Sequence, residues 1–233
     1  MKRNTEEDRT VGSSLYSSSG KMHCKNFLLP AVAAILTACG HIDDVDRSLK
    51  PFQVEWAACN LGATVPEEPG TYFAWGETDG KDHYSLDNYH GSGAPLVLAP
   101  EQDAAALLLG NGWRMPTKAD WDELRYKGLW KMTVRNGVAG YLVTSRIDGE
   151  EVVFLPAGGF YRDGVLLFGK AELLSLEDGT MSWKGAECHF WTSEIRTDYT
   201  PHAWYYGLSD QGHGQLYDAG RFLGMNIRAV RDK

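Results

Sequence analysis

Residues 26–38 are almost continuously apolar, whereas from Phe52 onward apolar residues come in short runs bounded by Gly, Pro, Asn or Asp. Two of these runs carry helix signals. Pro116 cannot extend a helix backwards, Thr117 is an N-cap residue, Asp120 stands three positions on where a capping box wants an acid, and Gly128 closes the segment. Trp121 and Leu124 then share one face, leaving Lys118, Asp122 and Arg125 to face water. Earlier, Pro100 takes a favourable first helical position, Glu101 and Asp103 complement the dipole, residues 104–109 form the body and Gly110 ends it. Residues 52–56 and 70–75 read as strands, and 80–93 as a long loop. Turn signals at Asn136-Gly137, Asp148-Gly149 and Asp163-Gly164 separate β-type runs at 131–135, 141–147, 152–155 and 165–168. Further strands are expected at 203–208, 214–217 and 225–230. Two helices with short antiparallel strands and long loops predict an α+β domain.

The front of the chain has a different character. Residues 1–21 are polar and without periodicity, an expected disordered or non-native extension, with Met22 the more natural start. Lys21 and Lys25 precede the apolar run, which together make a secretory signal over 22–38, too short to span a bilayer. Its end, Leu36-Thr37-Ala38-Cys39-Gly40, resembles a bacterial lipobox, in which Cys39 is acylated and becomes the first mature residue. Asp43, Asp44 and Asp46 follow in an acidic tether over 39–51, with a reach of about 30 to 40 Å if extended. The domain proper is expected over 52–233.

The apolar share of 43% supports a substantial core in a chain of 233 residues. Residues 1–38 hold five basic and three acidic side chains, so the chain's 23 basic and 31 acidic become 18 and 28 without them, a net charge of −10. No basic cluster is present, which argues against nucleic acid and against charge-driven adhesion to anionic lipid. The membrane is therefore met through the lipid anchor alone.

Candidate chemistry is sparse. Cys188 and His189 are neighbours on a strand, where successive side chains point to opposite faces, so they cannot easily share one ion or act together on one substrate. The histidines at 41, 83, 90, 202 and 213 show no ligand spacing, and no metal or cofactor is expected. The acidic pairs Glu67-Glu68, Glu150-Glu151 and Glu177-Asp178 sit beside turn residues and read as solvated charge. Residues 171–187 read as a surface loop with at most a helical turn. Between Tyr199 and Phe222 the composition changes: Tyr199, His202, Trp204, Tyr205, Tyr206, His213, Gln215, Tyr217, Asp218, Arg221 and Phe222 are interleaved with glycines. Rigid rings with polar tips are what recognition surfaces favour. Period two places Trp204 and Tyr206 on one face and Tyr205 on the other, about half of the rings facing inward.

The Trp113-Arg114-Met115-Pro116-Thr117 entry to a helix resembles that of formylglycine-generating-enzyme-like (sulfatase-modifying-factor-like) domains and of the "major paralogous" surface domains of Bacteroidetes and Fibrobacter. More of the chain is similar to the second group: Val54-Glu55-Trp56-Ala57-Ala58-Cys59-Asn60-Leu61-Gly62, then Tyr72-Phe73-Ala74-Trp75-Gly76-Glu77, Phe154-Leu155-Pro156-Ala157-Gly158-Gly159, Trp191-Thr192-Ser193 and Ile227-Arg228-Ala229-Val230-Arg231. The resemblance implies a C-type-lectin-like fold and a lipid-anchored protein on the outer face of an outer membrane. It implies a ligand-facing surface in the C-terminal part, diversified by retroelements in some relatives. The expected role is a non-catalytic, adhesin-like module that takes a macromolecular or glycan ligand through Tyr199, His202, Trp204, Tyr206, His213, Tyr217, Asp218, Arg221 and Phe222. A structural or tip subunit of a surface fibre is the alternative. The copper-thiol chemistry of formylglycine-generating oxidases lacks its cysteine pair and its Arg-Gly-Gly-Ser-Trp run. The calcium-dependent sugar triplets of lectins are also absent. Relatives commonly leave the first cysteine without a partner, so Cys59 and Cys188 are expected as separate buried thiols, although a disulfide is permitted outside the cell.

Overall fold

The computed structural model describes residues 50–91, 93, 95–175, 181–209 and 214–233. The extension, the signal, Cys39 and most of the tether lie outside the described residues, as do His41, Glu177, Asp178 and His213. Strand β1 (Val54–Trp56) leads through a long irregular stretch to helix α1 (Ala104–Leu109), strand β2 (Trp113–Arg114) and helix α2 (Lys118–Lys127). A meander follows, β3 (Gly128–Arg135), β4 (Val138–Ser145) and β5 (Glu151–Pro156). Two hairpins come next, β6 (Phe160–Arg162) with β7 (Val165–Leu167) and β8 (Glu172–Ser175) with β9 (Met181–Lys184). Strands β10 (Cys188–Ile195), β11 (His202–Leu208) and β12 (Gly214–Gly220) form a second meander, and β13 (Val230–Asp232) ends the chain. The named strands all pair antiparallel, in several small sheets, so the fold is α+β. First and last strands share one sheet, in the order β1, β13, β2.

The capping box of α2 forms as its sequence requires. The Asp120 carboxylate accepts the backbone N–H of Thr117 at 2.7 Å, and Thr117 Oγ1 accepts that of Asp120 at 3.2 Å. Arg114 adds a 2.7 Å bond to the same carboxylate. Burial by itself raises the pKa of Asp120, but the bonds from Arg114 and Thr117 outweigh it, and the pKa lies below the ordinary value. Gly128 does end the helix, though in extended backbone; it is glycine because a Cβ there would stand 2.5 Å from Val143 and 2.6 Å from the Leu124 carbonyl. At Asn136-Gly137 and Asp163-Gly164 both central residues take positive φ, the two-residue turn that matches strand twist.

Several expectations need correction. Residues 100–102 form a separate 3-10 turn, and α1 starts only at Ala104, because Asp103 is its N-cap and accepts from Ala105 and Ala106. Residues 70–75 make no strand; a single bridge joins Phe73 to Met225. Likewise 225–230 is held by isolated bridges, and regular pairing begins at Val230. Within 171–187 the described residues include two antiparallel strands, β8 paired with β9, where a loop with a helical turn was expected. Cys188 is a free, buried thiol, whereas Cys59 is disulfide-bonded, so the two are not joined to each other and Cys59 is not the free thiol expected.

Two apolar clusters share the interior. One gathers Trp56, Trp121, Leu124, Tyr141, Leu155, Phe190 and Tyr206; the other gathers Phe73, Trp75, Met115, Trp191, Met225 and Ile227. Arg228 stands fully buried in the interior. Its guanidinium donates to Asn60 Oδ1 at 2.7 Å and to the carbonyls of Ala57, Ala58 and Phe154 at 3.0, 2.6 and 2.9 Å. Burial pushes its pKa down to about 9, which leaves it charged at neutral pH. Neutral oxygens thus solvate this cation and tie 57–60, next to β1, to β5.

Candidate functional site

Strand β11 runs down the middle of the C-terminal sheet, so its side chains alternate between two backed faces. His202, Trp204 and Tyr206 face α2; Ala203 and Tyr205 face the Trp191 cluster. Trp204 and Tyr206 do share a face, as alternation requires, but their fates differ. Tyr206 is 1% exposed and stacks on Trp121 with ring centroids 4.6 Å apart and planes at 3°. It is core, and its place among ligand contacts is corrected: α2 lands on that part of the sheet. Trp204, nearer the open end, is half-buried, with the Lys118 ammonium 4.8 Å above its ring.

Around Trp204 the structure assembles a polar cluster. Asp218, directly across from Trp204, takes both carboxylate oxygens to Arg196 at 3.0 Å and one to His202 Nδ1 at 2.7 Å. Arg196 also reaches Asp198 at 2.9 Å, and Tyr199 meets His202 edge-on at 4.7 Å. Partial burial raises the Asp218 pKa, yet the bonds from His202 and Arg196 prevail and hold it below the ordinary carboxylate value. The geometry is a preorganised set of donors and acceptors around one half-exposed indole. Tyr199, His202, Trp204 and Asp218 are therefore brought together. Lys118, Glu194 and Arg196 join them; Glu194 accepts the Lys118 backbone N–H at 2.5 Å and lies 3.8 Å from its ammonium.

Tyr217 lies on the opposite face, paired across the ladder with Tyr205 at a centroid separation of 5.6 Å. Arg221 does something the sequence did not suggest. Its Nη1 donates to the Gly93 carbonyl at 2.7 Å and its guanidinium lies over Trp75 and Tyr89, at 5.5 and 5.4 Å, so it clamps the 80–93 loop. Phe222 packs against the Trp191 cluster.

Elsewhere the chemistry-bearing residues are occupied. Cys188 points into the core with its thiol toward the Leu155 carbonyl at 3.6 Å, and burial raises its pKa. His189, on the other face, sits between Phe160 and Tyr205 with the Glu187 carboxylate 3.4 Å from its Nε2, and burial pushes its pKa down to about 4. Glu67, expected as solvated charge, is buried beneath the β3–β4 turn, where Asn136 donates to it at 3.0 Å and Arg135 stands 3.5 Å away. Glu150 and Glu151 are exposed, as are His83 and His90. Among the described residues no group of three or more His, Cys, Asp or Glu side chains is placed to hold a metal ion. A cleft of about 410 Å³ opens beside α1, lined by Val97, Leu98, Pro100, Trp113 and Met115, and none of the aromatic candidates borders it.

No protein-family model, curated protein or solved structure matches this chain. The geometry of the C-terminal sheet is therefore the ground for a functional reading. No helix among the described residues is long and apolar enough to cross a membrane.

Proposed function

We propose that this chain is a protein of the outer cell surface whose C-type-lectin-like domain binds a macromolecular ligand without catalysing a reaction. The observation that carries the reading is the contrast within one sheet. Tyr206 and Phe190 lock it to α2, while Tyr199 and Tyr217 remain 51% and 39% exposed and Trp204 sits half-buried among preorganised polar groups. Rings held rigidly at a surface bind at low entropic cost. Support for the fold reading comes from the order of its motifs, from the shared sheet of first and last strands, and from a helix packed on the last large sheet.

The test is binding of fluorescently labelled full-length protein to panels of fixed bacterial and epithelial cells. Trp204→Ala is expected to lower the bound fraction by about tenfold. Equal binding by wild type and variant would remove the surface from consideration. A fibre-subunit role draws on a separate observation: Leu107, Leu108 and Leu109 of α1 are 54%, 57% and 40% exposed, and exposed apolar side chains in a run are of the kind that marks assembly contacts. Co-purification of fibre subunits that Leu108→Glu abolishes would favour it, and a monodisperse monomer without such partners would count against it.

A further inference from the structure

We infer that the cleft beside α1 is a second binding site, which takes a small uncharged molecule with an apolar body and a carbonyl-type oxygen that accepts a hydrogen bond from Ser193. It lies apart from the aromatic candidates of the C-terminal sheet and does not depend on the reading given to them.

Separate stretches of the chain build the cleft. The 97–100 stretch supplies Val97 and Pro100, α1 supplies Ala106, and β2 with the residue after it supplies Trp113 and Met115. Its volume of about 410 Å³ falls among small-molecule pockets, which span about 300 to 1,000 Å³. Gly110, Asn111 and Gly112 hold φ at +60°, +50° and +79°, so the chain turns sharply from α1 into β2. A Cβ added at Gly110 would meet nothing within 4 Å, and that edge of the cleft is open. Trp113 is only half-buried although the Arg231 guanidinium lies 4.8 Å from its ring centroid, which leaves indole surface for a ligand.

Ser193 is the observation that points to a ligand. It borders the cleft at 4% exposure, and both its main-chain groups are paired. Its N–H donates to the Pro116 carbonyl at 2.9 Å, and its own carbonyl accepts the Leu98 N–H at 2.8 Å. Its hydroxyl has no partner. Among the described residues that line the cleft, Ser193 Oγ is the one buried side-chain atom left unpaired. An unpaired buried hydroxyl weakens a fold, and an accepting oxygen brought in by a ligand restores the bond.

Charge chooses among ligands. The lining holds two charged side chains, Asp103 and Arg114, and both are already engaged. The Asp103 carboxylate accepts the N–H groups of Ala105, Ala106 and Met115 at 2.8, 3.1 and 2.8 Å. Arg114 is held by Asp120 at 2.7 Å and by Asp232 at 2.8 Å. Neither is free to neutralise a charge carried into the cleft, and an uncompensated charge against apolar walls is costly. An uncharged molecule is therefore the matching class, its body against Val97, Pro100 and Met115.

Fluorescence titration of the full-length protein with Prodan, a neutral naphthyl ketone, tests this. Saturable one-site binding is expected. Ala106→Leu, which puts a larger side chain into the cleft, should abolish it. Ser193→Ala should weaken it by about fivefold and move the bound probe's emission to the blue, since a hydrogen-bonded ketone emits further to the red. Without probe, the Ser193→Ala melting temperature should fall by no more than about 2 °C, or rise, because no internal hydrogen bond is lost. Trp204→Ala and Tyr217→Ala should bind Prodan as wild type does, which separates this test from that of the C-terminal sheet. Absence of saturable binding, or binding that Ala106→Leu leaves intact, overturns the site. Unchanged affinity and emission in Ser193→Ala, or a larger fall in its melting temperature, overturns the role of the hydroxyl.

Discussion

The indole of Trp121 and the phenol ring of Tyr206 lie face to face, 4.6 Å apart and within 3° of parallel, and this contact joins α2 to the C-terminal sheet. Trp56 and Phe190 close on the same indole, at 4.6 and 5.5 Å. One helix residue therefore gathers the first strand and the strands that present the candidate site. Tyr206→Ala should destabilise the domain by about 3 to 5 kcal/mol, the range for emptying a buried aromatic site. Urea unfolding measures it; a loss below about 1 kcal/mol would mean that the sheet does not depend on this contact.

Arg228 is the second structural fulcrum. Substitution by Met removes the charge but orphans the Ala57, Ala58 and Phe154 carbonyls it serves, and Lys cannot span them all. Both Arg228→Met and Arg228→Lys should cost about 3 kcal/mol or more. Unchanged denaturation midpoints for both would refute the account of this side chain.

His189 makes stability sensitive to mild acid. Its folded pKa is lowered to about 4 by burial, so below about pH 6.5 the unfolded chain binds a proton that the folded chain refuses. The contribution is complete above the unfolded value and is lost as pH falls toward the folded one. Between pH 7 and 5 wild type should lose about 2 kcal/mol more than His189→Gln. Parallel slopes for the two proteins in that window would show that the ring is not held neutral.

Arg221 and Tyr217, both drawn from the same aromatic stretch, should now separate. Arg221→Ala releases Gly93 and the faces of Trp75 and Tyr89, and should cost about 1 to 2 kcal/mol. Tyr217→Ala should change stability by less than about 1 kcal/mol. Thermal melts of the two variants distinguish them, and equal losses would contradict the assignment of Arg221 to loop clamping.

Where a feature depends on neighbours in sequence, it was legible. Thr117 and Asp120 are three residues apart, and Asn136-Gly137 and Asp163-Gly164 are adjacent, so their chemistry is local and the structure reproduces it. The misreadings come from partners far along the chain. Asp103, read as a first-turn residue of a helix starting at Pro100, instead caps a helix starting at Ala104 while also accepting the Met115 N–H, twelve residues on. Glu67 is buried because Asn136, 69 residues away, folds over it. The site was legible in composition but not in orientation: alternation grouped Trp204 with Tyr206, and only the landing point of α2 decides that one is core and the other accessible.

The central claim is that ligand contacts and fold determinants are separate residues of the C-terminal sheet and of the β10–β11 connection that carries Tyr199. Cell binding and melting temperature measured side by side on a Tyr199→Ala, Trp204→Ala, Tyr217→Ala triple variant test it most directly. The account predicts that binding disappears while the melting temperature stays within about 3 °C of wild type. Binding that survives the triple change, or a loss of binding that comes only with unfolding, would contradict it.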